Sequence, residues 1–419
     1  MNNQDNQGID SSTGPNGRII LRIRDDEKSA ERQYAAWYIK QQLGLEPPVE
    51  RESGNPEGLF LTPGLKVELP QLDSVFETVS LAREQRTGRR DFHGRFDDDS
   101  VVWEYRKPVI SELLTQWRSR LTPEADRLAP PRFTVYFSHD VDRVTFNEPV
   151  SILKSLFPLH SAGRGNVAPV RALRNPDLLA TTIGRLLDLE SEYGVRAWFF
   201  MLVGPYGVGP FSTRYHIRWH YAQRIIDAIL KHNAYIGLHS SYHARDRNSY
   251  RAEVETLSEA VGQKVVAHRN HYLRFDPVRH WHQLAEAGVE YDFSVGYPYK
   301  AGFRAGVVGP FQPYDFVGRA PSPVVEIPLI YMERPNHVRT AEQTLRELRE
   351  LLNAARVASL RQGAVSVQIH PEKFALNGDW YQLYRRIIEA CLEMGADVSG
   401  RLPENGRTAV GTPVRKEGR

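Results

Sequence analysis

The sequence predicts an α/β protein: a distorted (β/α)7-type barrel preceded by a smaller N-terminal α/β or α+β domain. Three observations carry this. From Phe133 onward, seven short apolar runs follow one another: FTVYFSHD, VRAWFFM, AYIGLHS, KVVAHRN, YDFSVGY, SPVVEIPL and AVSVQIHP. Between most of them lie amphipathic stretches such as LLATTIGRLLDLESEYG, RIIDAILKHN, YRAEVETLSEAVG and VRHWHQLAEAG. Strand–helix alternation of this kind builds βα units on a parallel sheet. Seven units fall short of the usual eight, which leaves a barrel distorted or open. A doubly wound open sheet is the alternative. Third, Pro130 and Pro131 break the chain just before this pattern begins, and the domain boundary is placed there.

The elements follow in order. Residues 1–16 are Asn-, Gln-, Gly- and Ser-rich and are expected to be disordered. RIILRI (Arg18–Ile23) reads as a strand, and Ser29–Leu45 as an amphipathic helix with apolar residues at three- and four-residue steps. LFLTP is a second short strand. REQRTGRRDFHGRFDDD is a charge run, expected to be a solvated loop, and ISELLTQWRSRL is helical. Residues 17–130 thus form the small domain, in which nothing suggests chemistry. Residues 131–402 form the barrel, and the charged tail 403–419 is expected to be disordered.

Composition narrows the function classes. At 419 residues, 41% hydrophobic and 25% charged, the chain is an ordinary globular protein with material for a sizeable core. Lys and Arg number 54 against 51 Asp and Glu, a net +3 that gives no basis for a nucleic-acid partner. Cys391 is the only cysteine, which excludes an internal disulfide, a thiolate zinc site and a redox pair. The N-terminus lacks a basic start followed by an apolar stretch, and no segment is apolar enough to span a bilayer. The expectation is a cytoplasmic protein of unspecified oligomeric state.

Chemistry is expected where polar residues end the apolar runs, because a βα barrel gathers its catalytic groups at the C-terminal ends of its strands. Those ends read Ser138-His139-Asp140-Val141-Asp142, His239-Ser240-Ser241-Tyr242-His243, Arg269-Asn270-His271-Tyr272, Asp292-Phe293-Ser294 and His370-Pro371-Glu372. His239 and His243, four apart, would share one face of a helical turn and one ion. His216 and His220 have the same spacing but precede a helix, and are read as partly exposed helix histidines. Asp140 and Asp142 read either as a turn or cap, or as a metal ligand beside a free base. One Asp and two His leave a coordination position for water, the arrangement of a catalytic zinc site. Arg269 and Asp292 either pair at the barrel top or orient the base.

Together these residues resemble the five motifs of the polysaccharide deacetylase family, the NodB-homology domain, over roughly Phe133 to Leu402. By that resemblance Asp140 is the base, and Asp142, His239 and His243 (HSSYH) hold the metal. Arg269 sits beside the base, Asp292 supports Arg269 or His370, and His370 (QIHPE) is the general acid. The first motif reads SHDVD rather than T-F-D-D-G, and Asn270 and His271 stand where the family's third motif has a proline turn. The HDVD form and GFRAG (Gly302–Gly306) resemble a divergent branch acting on surface polysaccharides, including lipopolysaccharide biosynthesis. The resemblance implies N-deacetylation of a sugar, with Tyr272, Tyr297 and Arg304 as substrate contacts. Zinc is the expected ion, and Co, Ni or Fe would suit the same ligands. Alternatives are a deformylase or O-acetyl esterase, an inactive polysaccharide-binding protein on this fold, and a non-haem iron site.

Overall fold

The computed structural model describes residues 9–13, 19–23, 29–43, 58–61, 69–87, 89–121, 132–146, 175–207, 211–333, 340–360 and 362–403. The expected tail after 403 and most of residues 1–16 lie outside these. Within 1–16, however, β1 (Ile9–Thr13) is a strand, not disordered: it pairs antiparallel with β2 (Ile19–Ile23), which pairs in turn with β3 (Gly58–Leu61). The unpaired edge of the RIILRI strand supplies backbone donors and acceptors that a polar segment can use as well as an apolar one. Four helices follow the N-terminal pattern: α1 (Ser29–Leu43), α2 (Leu69–Val79), α3 (Ala82–Thr87) and α4 (Val109–Leu121).

The remaining chain forms eight parallel strands curled into a barrel-like sheet with helices outside. The strands are β4 (Arg132–Val141), β5 (Trp198–Val203), β6 (Tyr235–Ser240), β7 (Ala267–Asn270) and β8 (Tyr291–Asp292). After the small hairpin of β9 (Tyr314–Asp315) and β10 (Ala320–Pro321) come β11 (Val325–Glu326), β12 (Leu329–Met332) and β13 (Gln362–Gln368). Their order is β11-β8-β7-β6-β5-β4-β13-β12. Helices α5 (Leu178–Glu192), α6 (His220–Lys231), α7 (Arg247–Val261), α8 (His280–Glu286), α9 (Ala341–Val357), α10 (Pro371–Leu376) and α11 (Asp379–Glu393) complete the units.

Seven apolar runs give eight strands because SPVVEIPL divides at Pro328. Proline has no N–H for a ladder. The run therefore pairs with β8 on one side of the break and with β13 on the other. Only Ile327 and Pro328 separate β11 from β12, a span of at most about 10 Å. The two edges of the sheet are therefore neighbours, and the chain itself closes the barrel where no ladder does.

Strand alternation sorts the side chains. Tyr136, Trp198, Phe200, Ala267, Tyr291, Phe293, Val325, Ile327 and Ala364 fill the barrel interior as one cluster. The opposite faces meet the helices. His139 belongs to that outer layer: its two ring nitrogens bond the Ile369 carbonyl and Glu190, both at 2.7 Å.

The N-terminal segment shares a core with the barrel. Tyr34 and Phe76 pack edge-on against Tyr314 at 5.2 and 5.1 Å. GFRAG is the socket for a second part of the segment, with Gly302 against Tyr105 and Gly306 against Thr78, Val109 and Ile110. Gly302, at φ +155°, leaves no room for a Cβ, which would stand 2.4 Å from the Tyr105 carbonyl oxygen. Between the socket glycines, Arg304 forms a buried ion pair with Glu84 of α3 at 2.9 and 2.7 Å, and its third nitrogen donates to the Gly296 carbonyl.

Candidate active site

Five strand ends converge on one rim. On β4 the D-x-D spacing keeps both acids on the interior side, following Tyr136 and Ser138, since residues two apart share a strand face. Arg269 and His271 likewise follow Ala267 along β7, and His239 ends β6. His370 follows β13, and Glu333 follows β12.

Two metal-type groups occur among the described residues: His268, His280 and Asp292, sealed in the interior, and, at the rim, Asp142, His239 and His271, each offering one ligand atom, all within 4.8 Å of one another. His239 Nε2 lies 3.3 Å and His271 Nε2 3.7 Å from Asp142 Oδ1. His239 Nδ1 donates to the Arg269 carbonyl oxygen at 3.0 Å, which leaves the Nε2 lone pair facing the group. Asp142 Oδ1 is buried without a well-formed hydrogen bond. Burial alone would raise the Asp142 carboxyl, but His271, His239 and His370 outweigh it and hold it below the usual carboxylate range. Burial lowers His271 to about 4, so it is a neutral imidazole at neutral pH. A carboxylate oxygen and two imidazole nitrogens are the donor set that suits zinc and its neighbours.

His243 is not in this group. The chain leaves β6 at Ser240 and turns, so HSSYH makes no helical turn; His243 is exposed on the turn, its ring edge-on to Tyr242. His271 stands in the place expected for it. The signal was in the sequence as R-x-H at a strand end, which puts both side chains on one face.

Beside this group, Asp140 Oδ1 accepts from Arg269 Nη1 at 2.8 Å, and its Oδ2 is 3.8 Å from His239 Nε2. Burial raises this carboxyl, but Arg269, His239 and His370 more than compensate and keep it ionised. Arg269 is wholly buried, with further bonds to Ser138 Oγ and the Phe293 carbonyl and its guanidinium 4.4 Å above the Phe200 ring. His370 places Nε2 3.7 Å from Asp142 Oδ2, while its Nδ1 and backbone N–H both bond Glu333. Burial opposes a charge on His370, but Glu333, Asp142 and Asp140 prevail and push it up to about 10. It is an imidazolium at neutral pH. Glu333 went unnoticed in the sequence although it, too, ends an apolar run.

Three other expected site residues sit elsewhere. Asp292 touches neither Arg269 nor His370. It is sealed beneath the rim, bonded to His268 Nδ1 at 2.9 Å and His280 Nε2 at 2.7 Å, and also accepts from Ser294. His268 in turn bonds Ser240 Oγ, so this network braces the strands on either side of His239 and Arg269. Arg304 spends its donors on Glu84 and Gly296, and Tyr297 is 2% exposed, its hydroxyl 3.3 Å from Trp103 Nε1. Both belong to the seam with the N-terminal segment. Tyr272 alone of the three expected substrate contacts reaches the cleft, 36% exposed.

No family model and no curated protein matches the chain by sequence. Among solved structures, a Mycobacterium smegmatis protein classed with the polysaccharide deacetylases aligns at 20% identity, over 65% of this chain and 88% of that one, with a TM-score of 0.43. The chitin deacetylase of the fungal pathogen Colletotrichum lindemuthianum aligns at 11%, over 64% and 84%, with a TM-score of 0.33. A CE4 family pseudoenzyme from Bacillus anthracis aligns at 12%, over 64% and 63%, with a TM-score of 0.31. The functional reading therefore rests on the side chains. Among the described residues no helix is long and apolar enough to cross a membrane.

Proposed function

We propose that the chain is a metal-dependent amidohydrolase that removes an N-acetyl group from a sugar of a bacterial surface polysaccharide or its precursor. The observation that carries this reading is the meeting of Asp142, His239 and His271 beside one ionised carboxylate and one protonated imidazole. These are the two proton-transfer states that amide hydrolysis needs, set apart by their surroundings.

Asp142, His239 and His271 would hold the ion, which when bound polarises the acyl oxygen and brings the pKa of water down towards about 7. Asp140 takes a proton from the attacking water through Oδ2, the oxygen that Arg269 leaves free. Arg269 fixes that carboxylate in place and keeps it ionised. It also makes Asp140 a weak base, which is why an acidified water is required. His370 hands its proton to the departing amine, which would otherwise leave as a strongly basic amide anion. Glu333 holds the His370 ring and keeps it charged between turnovers.

The test is metal content of the purified full chain by mass spectrometry, with acetate release from N-acetylated sugars. Near-stoichiometric zinc or another transition metal is expected, lost in His239→Ala and His271→Ala and retained in His243→Ala. A folded wild type that takes up no metal under any loading condition ends this reading. Loss in His243→Ala but not His271→Ala would return the ligand set to the spacing read from sequence.

A further inference from the structure

Exposed aromatic rings gather on the rim beside the metal-type group, and part of that surface comes from the N-terminal segment. The Asp91–Arg95 turn, closed by Gly94 at φ +74°, lies in the charge run expected to be a solvated loop. It is pinned instead against the barrel. Arg95 Nη1 donates to the Tyr272 carbonyl at 2.7 Å, and Arg274 Nε donates to the His93 carbonyl at 2.6 Å. The rings run outward from the ligands in sequence. His271 is 4.3 Å from Tyr272, Tyr272 stacks on His93 at 4.8 Å, and His93 meets Phe92 at 5.4 Å and Phe211 at 5.7 Å.

The platform is rigid before anything binds. Tyr242 is clamped between Phe211, stacked at 4.1 Å, and the Arg274 guanidinium at 4.4 Å. Tyr272 is held at φ +62°, a conformation a bulky residue adopts only when its surroundings impose it. Phe92, by contrast, is 85% exposed, a phenyl ring left in water at the mouth of a polar site. It is not isolated: its ring lies 6.3 Å from Phe211 and 5.4 Å from His93, so it extends a contiguous exposed patch of the kind that marks a binding surface. Nor is the platform built for an anion: Arg95 is occupied by Asp91, Tyr299 and the Tyr272 carbonyl, and Arg274 by two carbonyls. Electron-rich ring faces suit the C–H face of a neutral pyranose.

We propose that Phe92, with Phe211 and Tyr272, forms a saccharide subsite next to the metal-type group, stacking on a sugar ring adjoining the one that carries the acyl group. This rests on the hydrolase reading of the site. It makes the N-terminal segment part of substrate selection: the barrel supplies the ligands, and the turn supplies length recognition.

Binding is measured apart from turnover, with the full chain carrying Asp140→Asn, titrated with neutral N-acetylated oligosaccharides of one to six units by calorimetry and on a glycan array. Phe92→Ala removes almost no buried surface, so the fold is unaffected. At least one oligomer is expected to bind more tightly than its monosaccharide. Phe92→Ala should weaken that oligomer about two- to tenfold, the worth of one aromatic stack, and Phe92→Trp should restore it. The proposal is overturned if no oligomer outbinds its monosaccharide, or if Phe92→Ala binds as the parent does. Acetate release by wild type alongside either result would leave the hydrolase reading standing without the subsite. Phe92-dependent binding in a chain that holds no metal would do the reverse.

Discussion

Neutralising Glu84 tests how firmly the N-terminal segment belongs to the barrel. The Glu84 side chain is wholly buried and that of Arg304 is 3% exposed, and the two meet through paired bonds of 2.9 and 2.7 Å. With the charge centres about 4 Å apart and an effective dielectric near 20, the attraction is about 4 kcal/mol. Removing one partner of a buried pair costs about 3–5 kcal/mol, because the other charge is left uncompensated. Glu84→Gln keeps one acceptor for Arg304, so about 3 kcal/mol is expected. Arg304→Met should cost a similar amount, since it strands the carboxylate. The double variant Glu84→Leu/Arg304→Met, which removes both charges and keeps apolar volume, should lie within about 1 kcal/mol of wild type. The assay is urea unfolding followed by tryptophan fluorescence, with wild type, Glu84→Leu, Arg304→Met and the double variant as the four corners of a cycle compared at equal slope. A loss below about 1 kcal/mol for Glu84→Gln, or a double variant as damaged as the sum of the singles, would refute the argument. The double variant also decides the role of Arg304. An unchanged KM with a restored fold would show that this arginine holds the seam and does not touch substrate.

Two further outcomes follow from buried groups. Burial pushes the Asp98 carboxyl up to about 6, against the pull of the Tyr299 N–H and nearby Arg304, Arg95 and Lys300, and its Oδ1 has no hydrogen-bond partner. Because the folded value exceeds the unfolded one near 3.9, its contribution is intact below pH ~4 and is lost as pH rises towards ~6, at most about 3 kcal/mol. Asp98→Asn should therefore raise Tm at pH 8 and leave it unchanged at pH 4; a gain that does not grow with pH speaks against this. Tyr215, buried, accepts from the Leu202 N–H and donates to the Val141 carbonyl, each at 2.9 Å, one residue before Asp142. Tyr215→Phe should cost about 1–3 kcal/mol and weaken metal affinity 10- to 100-fold, read by chelator competition. Weakened folding with undiminished affinity would reduce Tyr215 to a structural role.

The barrel was legible because its signal is local. Short apolar runs separated by amphipathic stretches have no other efficient way to bury themselves than as strands under helices. Polar residues interrupt that logic at Asp140, His239, Arg269 and His370, and these side chains lie together on one rim. The eighth strand was hidden because SPVVEIPL is continuous in hydrophobicity, and only the missing N–H of Pro328 tells that its ladder must change partner. The docking of the N-terminal segment was illegible for a different reason. The DFHGRF turn reads as charge, and its charges are consumed in contacts with Tyr272 and Tyr299, about 180 to 200 residues away in the chain.

The ligand set shows what kind of inference spacing supports. A step of four between histidines suggests one ion only if the backbone is helical, and the backbone there is a strand that ends at Ser240. In a strand the informative spacing is two. It is present twice on this rim, as Asp140-x-Asp142 and Arg269-x-His271, and it joins Asp142 and His271 each to one partner of the Asp140–Arg269 ion pair. Arg269 bonds Asp140 while its neighbour two along, His271, faces Asp142. A shift of one residue in either strand would turn both members of that strand's pair outward together, towards the helices. Asp140 and Asp142 are thus fixed by the same register, and the first motif tolerates Val141 between its acids because the intervening side chain belongs to the other face.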